Sequence, residues 1–126
     1  MISDPRFQYD NVLFVDDDDT SETVIFNIRS WYLTLVGILV KYGSQSISDA
    51  TTMLDNSWLI KGFCCETYKQ VCLYSHEYEY YWAMLVLHGD LFWRRGISGD
   101  LPTGYDQWEQ EYIRANGLAE SIFEFS

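Results

Sequence analysis

Basic residues are scarce in this sequence. Eight lysines and arginines face nineteen aspartates and glutamates, which gives a formal net charge of −11. Proteins that bind nucleic acid contact its phosphates through clustered lysine and arginine, and stacking on single strands also needs a positively charged groove. The sequence therefore predicts no direct binding of nucleic acid. Because net charge governs association rather than fold, an acidic surface instead favours partners whose own working surface is basic.

Cysteine and histidine are also rare, with three cysteines and two histidines in 126 residues. Cys64 and Cys65 are adjacent and make poor disulfide partners, and an odd count leaves at least one free thiol. Cys65, Cys72 and His76 would share a face of one continuous helix, but a fourth zinc ligand is missing and no CxxC spacing occurs. We expect no metal site, no cofactor and a reducing, cytoplasmic environment.

The sequence contains no recognisable catalytic motif. No serine or cysteine has the flanking glycines of a nucleophile elbow, and no glycine-rich loop is present to hold a phosphate. His88 is predicted to be a core histidine, because catalysis would require a pocket and an acid hydrogen-bonded to the imidazole. We predict that the protein is not an enzyme. A helical enzyme or small-ligand-binding protein that uses the tyrosine-rich residues 74–82 and His88 is the alternative.

Long apolar stretches are absent as well. The longest, Trp31 to Val40, is far shorter than the roughly 20 residues that a transmembrane helix needs. The first ten residues, MISDPRFQYD, are polar and acidic rather than basic and then apolar, unlike a secretory signal peptide. The sequence thus predicts a cytoplasmic protein with no membrane partner.

The acids that the chain has in excess lie at its two ends. Residues 1–22 carry seven acids against one arginine, residues 100–126 carry six acids against one arginine, and residues 23–99 carry six of each sign. This distribution predicts a neutral, packed body whose acidic surface is supplied by both termini. Aromatic residues make up 17% of the chain, and some are expected at the surface, where aromatics beside charge favour binding.

Hydrophobic spacing predicts an all-α fold in one domain over residues 1–126. An acidic N-terminal segment at 1–19 would precede a helical body at 20–126, a single compact bundle of five or six helices. Apolar residues from Ile25 to Tyr42 recur at helix spacing, which predicts a central, buried helix that Gly43 ends.

The start of that central helix has two interpretations. Asp19 and Glu22 fit a variant of the capping box, which would begin the helix directly after the aspartate run. The alternative is a β-hairpin of residues 12–15 and 24–28 around the aspartates.

Four more helices are predicted from capping boxes and helical spacing. They are expected at 46–62, 64–74, 75–95 and 103–117, with serine or threonine starts at Ser46, Ser75 and Thr103 and glycine ends at Gly62, Gly96 and Gly117. The tail at 118–126 is predicted to be a last short helix or an extended segment.

Two acidic sets are the candidate partner-binding residues. The first is the run Asp16, Asp17, Asp18 and Asp19, whose spacing does not suit a calcium loop, because calcium ligands alternate there and a glycine is required. A solvated loop is the alternative to a binding surface. The second set, in the helix near 104–116, consists of Asp106, Glu109, Glu111 and Trp108. An aromatic anchor among acids is typical of a tight, fast-associating inhibitor, and an ordinary amphipathic helix is the alternative.

In size, acidity and aromatic content, the chain resembles the toxin-neutralising immunity proteins of bacteria. The resemblance implies a cognate protein toxin as the partner, often a basic nuclease, bound one-to-one at or near its active site. The acids of both sets would then occupy the places of substrate phosphates. One alternative is a phage-type inhibitor or DNA mimic that acts on a host nucleic-acid-binding protein. Another is a weak homodimer through exposed aromatics rather than a monomer.

Overall fold

The computed structural model describes residues 2–126, which form six α-helices, two short 3-10 helices and a three-stranded antiparallel sheet. The strands are β1 (Val12–Val15), β2 (Thr23–Phe26) and β3 (Phe123–Phe125). The helices are α1 (Ile28–Gly43), α2 (Ile47–Asp55), α3 (Trp58–Lys61), α4 (Tyr68–Ser75), α5 (Glu79–His88) and α6 (Tyr105–Ala115), with 3-10 helices at Pro5–Phe7 and Phe92–Arg95. The chain is mostly helical, as predicted, but the sheet makes the all-α prediction only partly correct.

A β-hairpin occupies the region where the capping box was predicted. β1 pairs with β2 in antiparallel register. Side chains alternate along both strands, so Phe14, Val24 and Phe26 are buried while the residues between them are more exposed. The alternative of a hairpin around the aspartates is confirmed, and the predicted capping box is wrong. The Glu22 N–H donates to the carbonyl oxygen of Asp19 within the hairpin loop.

Helix α1 begins at Ile28, later than predicted, and its start is capped by a distant residue. The Asp10 carboxylate accepts hydrogen bonds from the backbone N–H and the hydroxyl of Ser30, both at 2.8 Å. Because Ser30 lies in the first turn, Asp10 has the capping role that was predicted for Asp19. α1 is buried almost all round, as predicted, and Ser44 follows its last turn in the left-handed conformation, with φ 56°.

The helices in the middle of the chain follow local capping signals. The Ser46 hydroxyl accepts a hydrogen bond from the Asp49 N–H at 3.0 Å, as its capping box predicts. A second serine cap, Ser57, divides the single helix expected over 46–62 into α2 and α3, and Gly62 follows α3. A short helix was expected at 64–74; α4 is that helix, but it begins only at Tyr68, after the Thr67 cap.

The last two helices are shorter than the predicted ones. Gly89 has φ 85°, a backbone conformation that favours glycine, and it ends α5 before a separate 3-10 helix that reaches Arg95. The single helix predicted up to Arg95 is therefore wrong. α6 begins after Gly104 without a side-chain cap, so the predicted capping box of Thr103 and Asp106 does not form.

The C-terminal tail completes the sheet. β3 pairs antiparallel with β2, which gives the strand order β1-β2-β3. Asn27, only 1% exposed, holds the tail by donating to the Ser121 carbonyl at 2.7 Å and the Glu124 carboxylate at 2.9 Å. Its side-chain oxygen accepts from the Asn11 N–H at 2.9 Å. Segments far apart in sequence therefore meet at the junction of β2 and α1.

One hydrophobic core lies between the sheet and the helices. Trp31 of α1 is fully buried, and its ring contacts those of Phe26, Phe63 and Tyr74 at centroid distances of 5.9, 5.4 and 5.5 Å. Phe7 is fully buried too, so the N-terminal segment belongs to this core, and the predicted boundary at residue 19 falls inside the hairpin loop. Within residues 2–126, no helix is long and apolar enough to cross a bilayer.

Candidate functional site

The hairpin loop presents the aspartate run at one end of the sheet. The Asp16 carboxylate accepts a hydrogen bond from the backbone N–H of Asp18 at 3.0 Å. The Asp19 carboxylate accepts from the backbone N–H and the hydroxyl of Ser21 at 3.1 and 2.6 Å. Such contacts let a side-chain oxygen shape a turn. Asp16 and Asp19 therefore hold the loop conformation, and Asp17, Asp18 and Asp19 are exposed to solvent.

Lys69 of α4 is the one cation that pairs with this loop in the described part of the chain. Its ammonium nitrogen lies 2.6 Å from Asp18 Oδ2, and both side chains are largely exposed. The pair lowers the pKa of Asp18 and raises the pKa of Lys69, while the Ser21 hydrogen bonds lower the pKa of Asp19. Asp18 and Asp19 therefore stay ionised at neutral pH. A single exposed lysine offsets little of the loop's charge.

An apolar strip borders the loop on the outer face of the sheet. Leu13 and Val15 of β1 are 59% and 43% exposed, and Ile25 lies opposite Leu13 on β2. These residues were not among the predicted binding residues, although the strand alternation of residues 12–15 carried the signal. We call Leu13, Val15 and residues 16–19 the hairpin surface.

The second predicted set lies on α6, and its members have different surroundings. Asp106 and Glu111 are exposed. Glu109 is half-buried and accepts a hydrogen bond from the Tyr105 hydroxyl at 2.7 Å. Trp108 is half-buried and contacts the rings of three tyrosines. Two of the predicted acids are thus available at the surface, whereas Glu109 is hydrogen-bonded within α6 and Trp108 packs α6 against Tyr42 of α1.

A partly buried carboxyl group, Glu79, lies at the boundary of α5 and α6. Burial raises its pKa to about 7, and repulsion from the Glu109 carboxylate adds to the shift. Burial and the hydrogen bond to Glu109 also raise the pKa of Tyr105. This carboxyl pair could not be predicted from local sequence spacing, because the two residues belong to separate helices.

Trp108 also lines a cleft of about 520 Å³ between α1, α2 and α6. Trp108 and Tyr112 form one wall, and Gly37 lies on the apolar floor. Asp55 lines the cleft as well, but its carboxylate already accepts a hydrogen bond from the Tyr32 hydroxyl at 2.5 Å. The cleft therefore offers a partner chiefly an aromatic and apolar surface.

The tyrosine-rich segment of the alternative enzyme or ligand site does not present a single surface. Tyr74, Tyr80 and Trp82 are buried, whereas Tyr78 is 70% exposed, so the tyrosine-rich segment is divided between core and surface. Within residues 2–126, no group of three or more histidine, cysteine and acidic side chains is arranged to hold a metal ion. Across the same residues, no hydrogen bond or ion pair joins the hairpin loop to α6.

Comparison of the chain with protein-family models, with curated proteins and with solved structures finds no match. A function for this protein must therefore be inferred from its own surfaces.

Proposed function

We propose that the protein is an acidic, immunity-type inhibitor that binds a basic protein toxin, a nuclease above all, at or near its active site. The hairpin surface carries this proposal. It combines four consecutive aspartates, of which one pairs with a lysine, with the exposed side chains of Leu13 and Val15. Complementary charge speeds encounter and selects the partner, while apolar contacts exclude water and hold the complex.

The mode of inhibition follows from the chemistry of the loop. Carboxylates form strong, charge-assisted hydrogen bonds with the arginine and lysine side chains that a nuclease uses for phosphates. A compact loop of such groups fits a concave active site. The net charge of −11 speeds association with a basic toxin and makes the rate depend on salt.

The exposed acids of α6 have a supporting role in this proposal. Asp106 and Glu111 add to the field that steers a basic partner. Trp108, in the wall of the cleft, offers an aromatic contact to a partner side chain.

The test compares the wild type with two variants of equal charge. Removing four negative charges from −11 leaves −7 in both. Asparagine keeps the side-chain oxygens that shape the loop at positions 16 and 19, so the first variant loses charge without losing its turns. The loop-neutralised variant is D16N/D17N/D18N/D19N, and the control, at exposed acids elsewhere, is D49N/E66Q/D90N/D100N.

Each form is immobilised and used to capture proteins from a lysate at low and high salt. Captured proteins are identified by mass spectrometry, purified and assayed for nuclease activity with each form added. We expect the wild type and the control to bind and inhibit one basic protein, less tightly at high salt, and the loop-neutralised variant to bind about tenfold more weakly or worse. Equal inhibition by all three forms, or binding indifferent to salt, would contradict the proposal.

A further inference from the structure

We infer that the free edge of β1 accepts an extended strand of the basic partner, which adds to the sheet as a fourth strand. This inference rests on the proposed function and names the element of the partner that is bound. Strand addition at an exposed edge draws its affinity from main-chain hydrogen bonds and its specificity from alternate side chains.

Two residues of β1 point their backbone N–H and C=O groups away from β2, as the hydrogen bonds around them show. In an antiparallel pair, bonded and non-bonded residue pairs alternate. The Asp16 N–H donates to the Glu22 carbonyl at 3.0 Å, so Asp16 belongs to a bonded pair. Leu13 and Val15 are three residues and one residue before Asp16, and the alternation therefore places both in non-bonded pairs. Thr23, opposite Val15, bonds in both directions with Ser126 of the tail instead.

The backbone groups of Leu13 and Val15 therefore face away from β2. Within residues 2–126, no hydrogen bond satisfies them. Natural sheets blunt such edges with charged side chains, proline, a bulge or a very short strand. β1 is short, at four residues, but its sequence, Val-Leu-Phe-Val, has no charged residue and no proline, and it pairs with β2 in unbroken register.

Charge determines which strand can bind there. The aspartate run at residues 16–19 follows directly after Val15, so a strand laid along β1 brings its end beside four carboxylates. Lysine or arginine at that end is favoured, and an acidic strand is repelled. A second copy of this chain is a poor occupant, because each copy carries −11.

The register predicts a sequence pattern for the bound strand. In antiparallel pairing, residues opposite Leu13 and Val15 lie on the outer face of the sheet, where apolar or β-branched side chains extend the strip. Residues that come before them in the partner's sequence lie beside the aspartate loop, where basic side chains are favoured. The recognised segment is therefore a basic run followed by alternating apolar residues.

The experiment uses the full chain, labelled with ¹⁵N, and a short synthetic peptide in which lysines precede alternating valine and threonine. Amide hydrogen exchange is followed for Leu13 and Val15, with the inward-facing Phe14 as the internal reference. We expect the amides of Leu13 and Val15 to exchange rapidly in the free protein and to become protected by the peptide. The Phe14 amide is expected to be protected in both states.

Two perturbations remove main-chain hydrogen bonds between β1 and the bound strand. Val15→Pro deletes an outward N–H at an edge position where proline is tolerated, and Ile47→Thr, at another exposed apolar residue (71%), is the control. A peptide N-methylated at the positions facing β1 removes the matching donors without changing the protein. Val15→Pro and the methylated peptide should each weaken binding about fivefold or more, and Ile47→Thr should have no effect.

The outcomes separate this inference from the proposed function. If the methylated peptide binds as well as the parent, and binding is lost in the loop-neutralised variant, strand pairing is overturned and the electrostatic proposal stands. If the loop-neutralised variant binds both peptide and toxin like the wild type, the proposed function is overturned. Protection of Leu13 and Val15 in the free protein that grows with concentration would show self-pairing and overturn the inference.

Discussion

Gly37 of α1 lies against the Tyr112 ring of α6, and its replacement tests the packing that forms the cleft. A Cβ atom at this position would be 2.4 Å from Cζ of Tyr112 and 2.7 Å from Cε1. The Tyr112 ring cannot move away freely, because it stacks on Trp108 at a centroid distance of 5.2 Å. Its hydroxyl also donates to the Leu33 carbonyl at 2.8 Å.

Opposing terms determine the effect of Gly37→Ala on the free energy of unfolding. Alanine inside a helix is favoured over glycine by about 1 kcal/mol. Overpacking costs roughly 1–3 kcal/mol, and displacing the Tyr112 hydroxyl from its carbonyl costs about 1 kcal/mol more. We therefore expect Gly37→Ala to destabilise the protein by about 1–3 kcal/mol.

Urea unfolding of a double-mutant cycle checks this reasoning. In the background of Tyr112→Ala the obstructing ring is gone, so Gly37→Ala should stabilise the protein by about 1 kcal/mol, the helix propensity term alone. A change of sign between the two backgrounds is the expected result. Equal stabilisation in both would refute the close contact between α1 and α6.

Two further substitutions test the polar contacts of the fold. Asp10→Ala should lower the free energy of unfolding, measured in urea, by about 1–2 kcal/mol, because the start of α1 loses its cap. Asp10→Asn keeps one hydrogen-bond acceptor and should lower it less. An unchanged urea midpoint for the alanine variant would count against the cap. Burial raises the pKa of Glu79 from its usual 4.5 to about 7, so the folded state holds a proton that the unfolded state has released, and stability falls as pH rises from 4.5 to 7. Glu79→Gln should remove this dependence. Relative to the wild type, the variant should therefore gain about 1–3 kcal/mol more stability at pH 8 than at pH 4, as measured by thermal unfolding at both pH values. Parallel pH profiles for the two proteins would refute the shift in the pKa of Glu79.

The helical part of the fold was largely predictable because its signals are local. The apolar residues of α1 surround the helix, and the Ser46 cap lies three residues from the amide that it accepts from. The points at which helices end were harder to predict. Apolar spacing continues past Gly89, but the positive φ at Gly89 ends α5, and the spacing of side chains does not report backbone conformation.

The sheet was less predictable because distant contacts decide it. Asp19 and Glu22 satisfy a local capping pattern, yet Thr23 exchanges hydrogen bonds with Ser126 at the other end of the chain. A three-stranded sheet with a buried face outweighs a single helix cap, which contributes about 1 kcal/mol. The tail strand that stabilises the hairpin lies outside any local window of sequence.

The acidic composition of the candidate site was predictable, but the role of each acid was not. Charge alone indicated acidic ends, but only the structure shows which of those acids take part in the hydrogen bonds of the fold. Asp10 caps α1, Glu124 accepts from Asn27, and Glu109 accepts from Tyr105. These partners are 20, 97 and 4 residues away, and the two long separations leave no mark in the sequence.

The aspartate run lies in a hairpin loop and not at the start of a helix, and this position bears directly on the proposed function. At the beginning of a helix, the aspartate run would have been stabilised by the positive end of the helix dipole. In the hairpin loop it has Lys69 and three turn-shaping hydrogen bonds, so mutual repulsion of the carboxylates is left largely unrelieved. A cationic partner would remove that repulsion as it binds, and the proposed strand edge beside the loop would hold the partner in register. The charge that opposes compaction of the free protein therefore favours the complex.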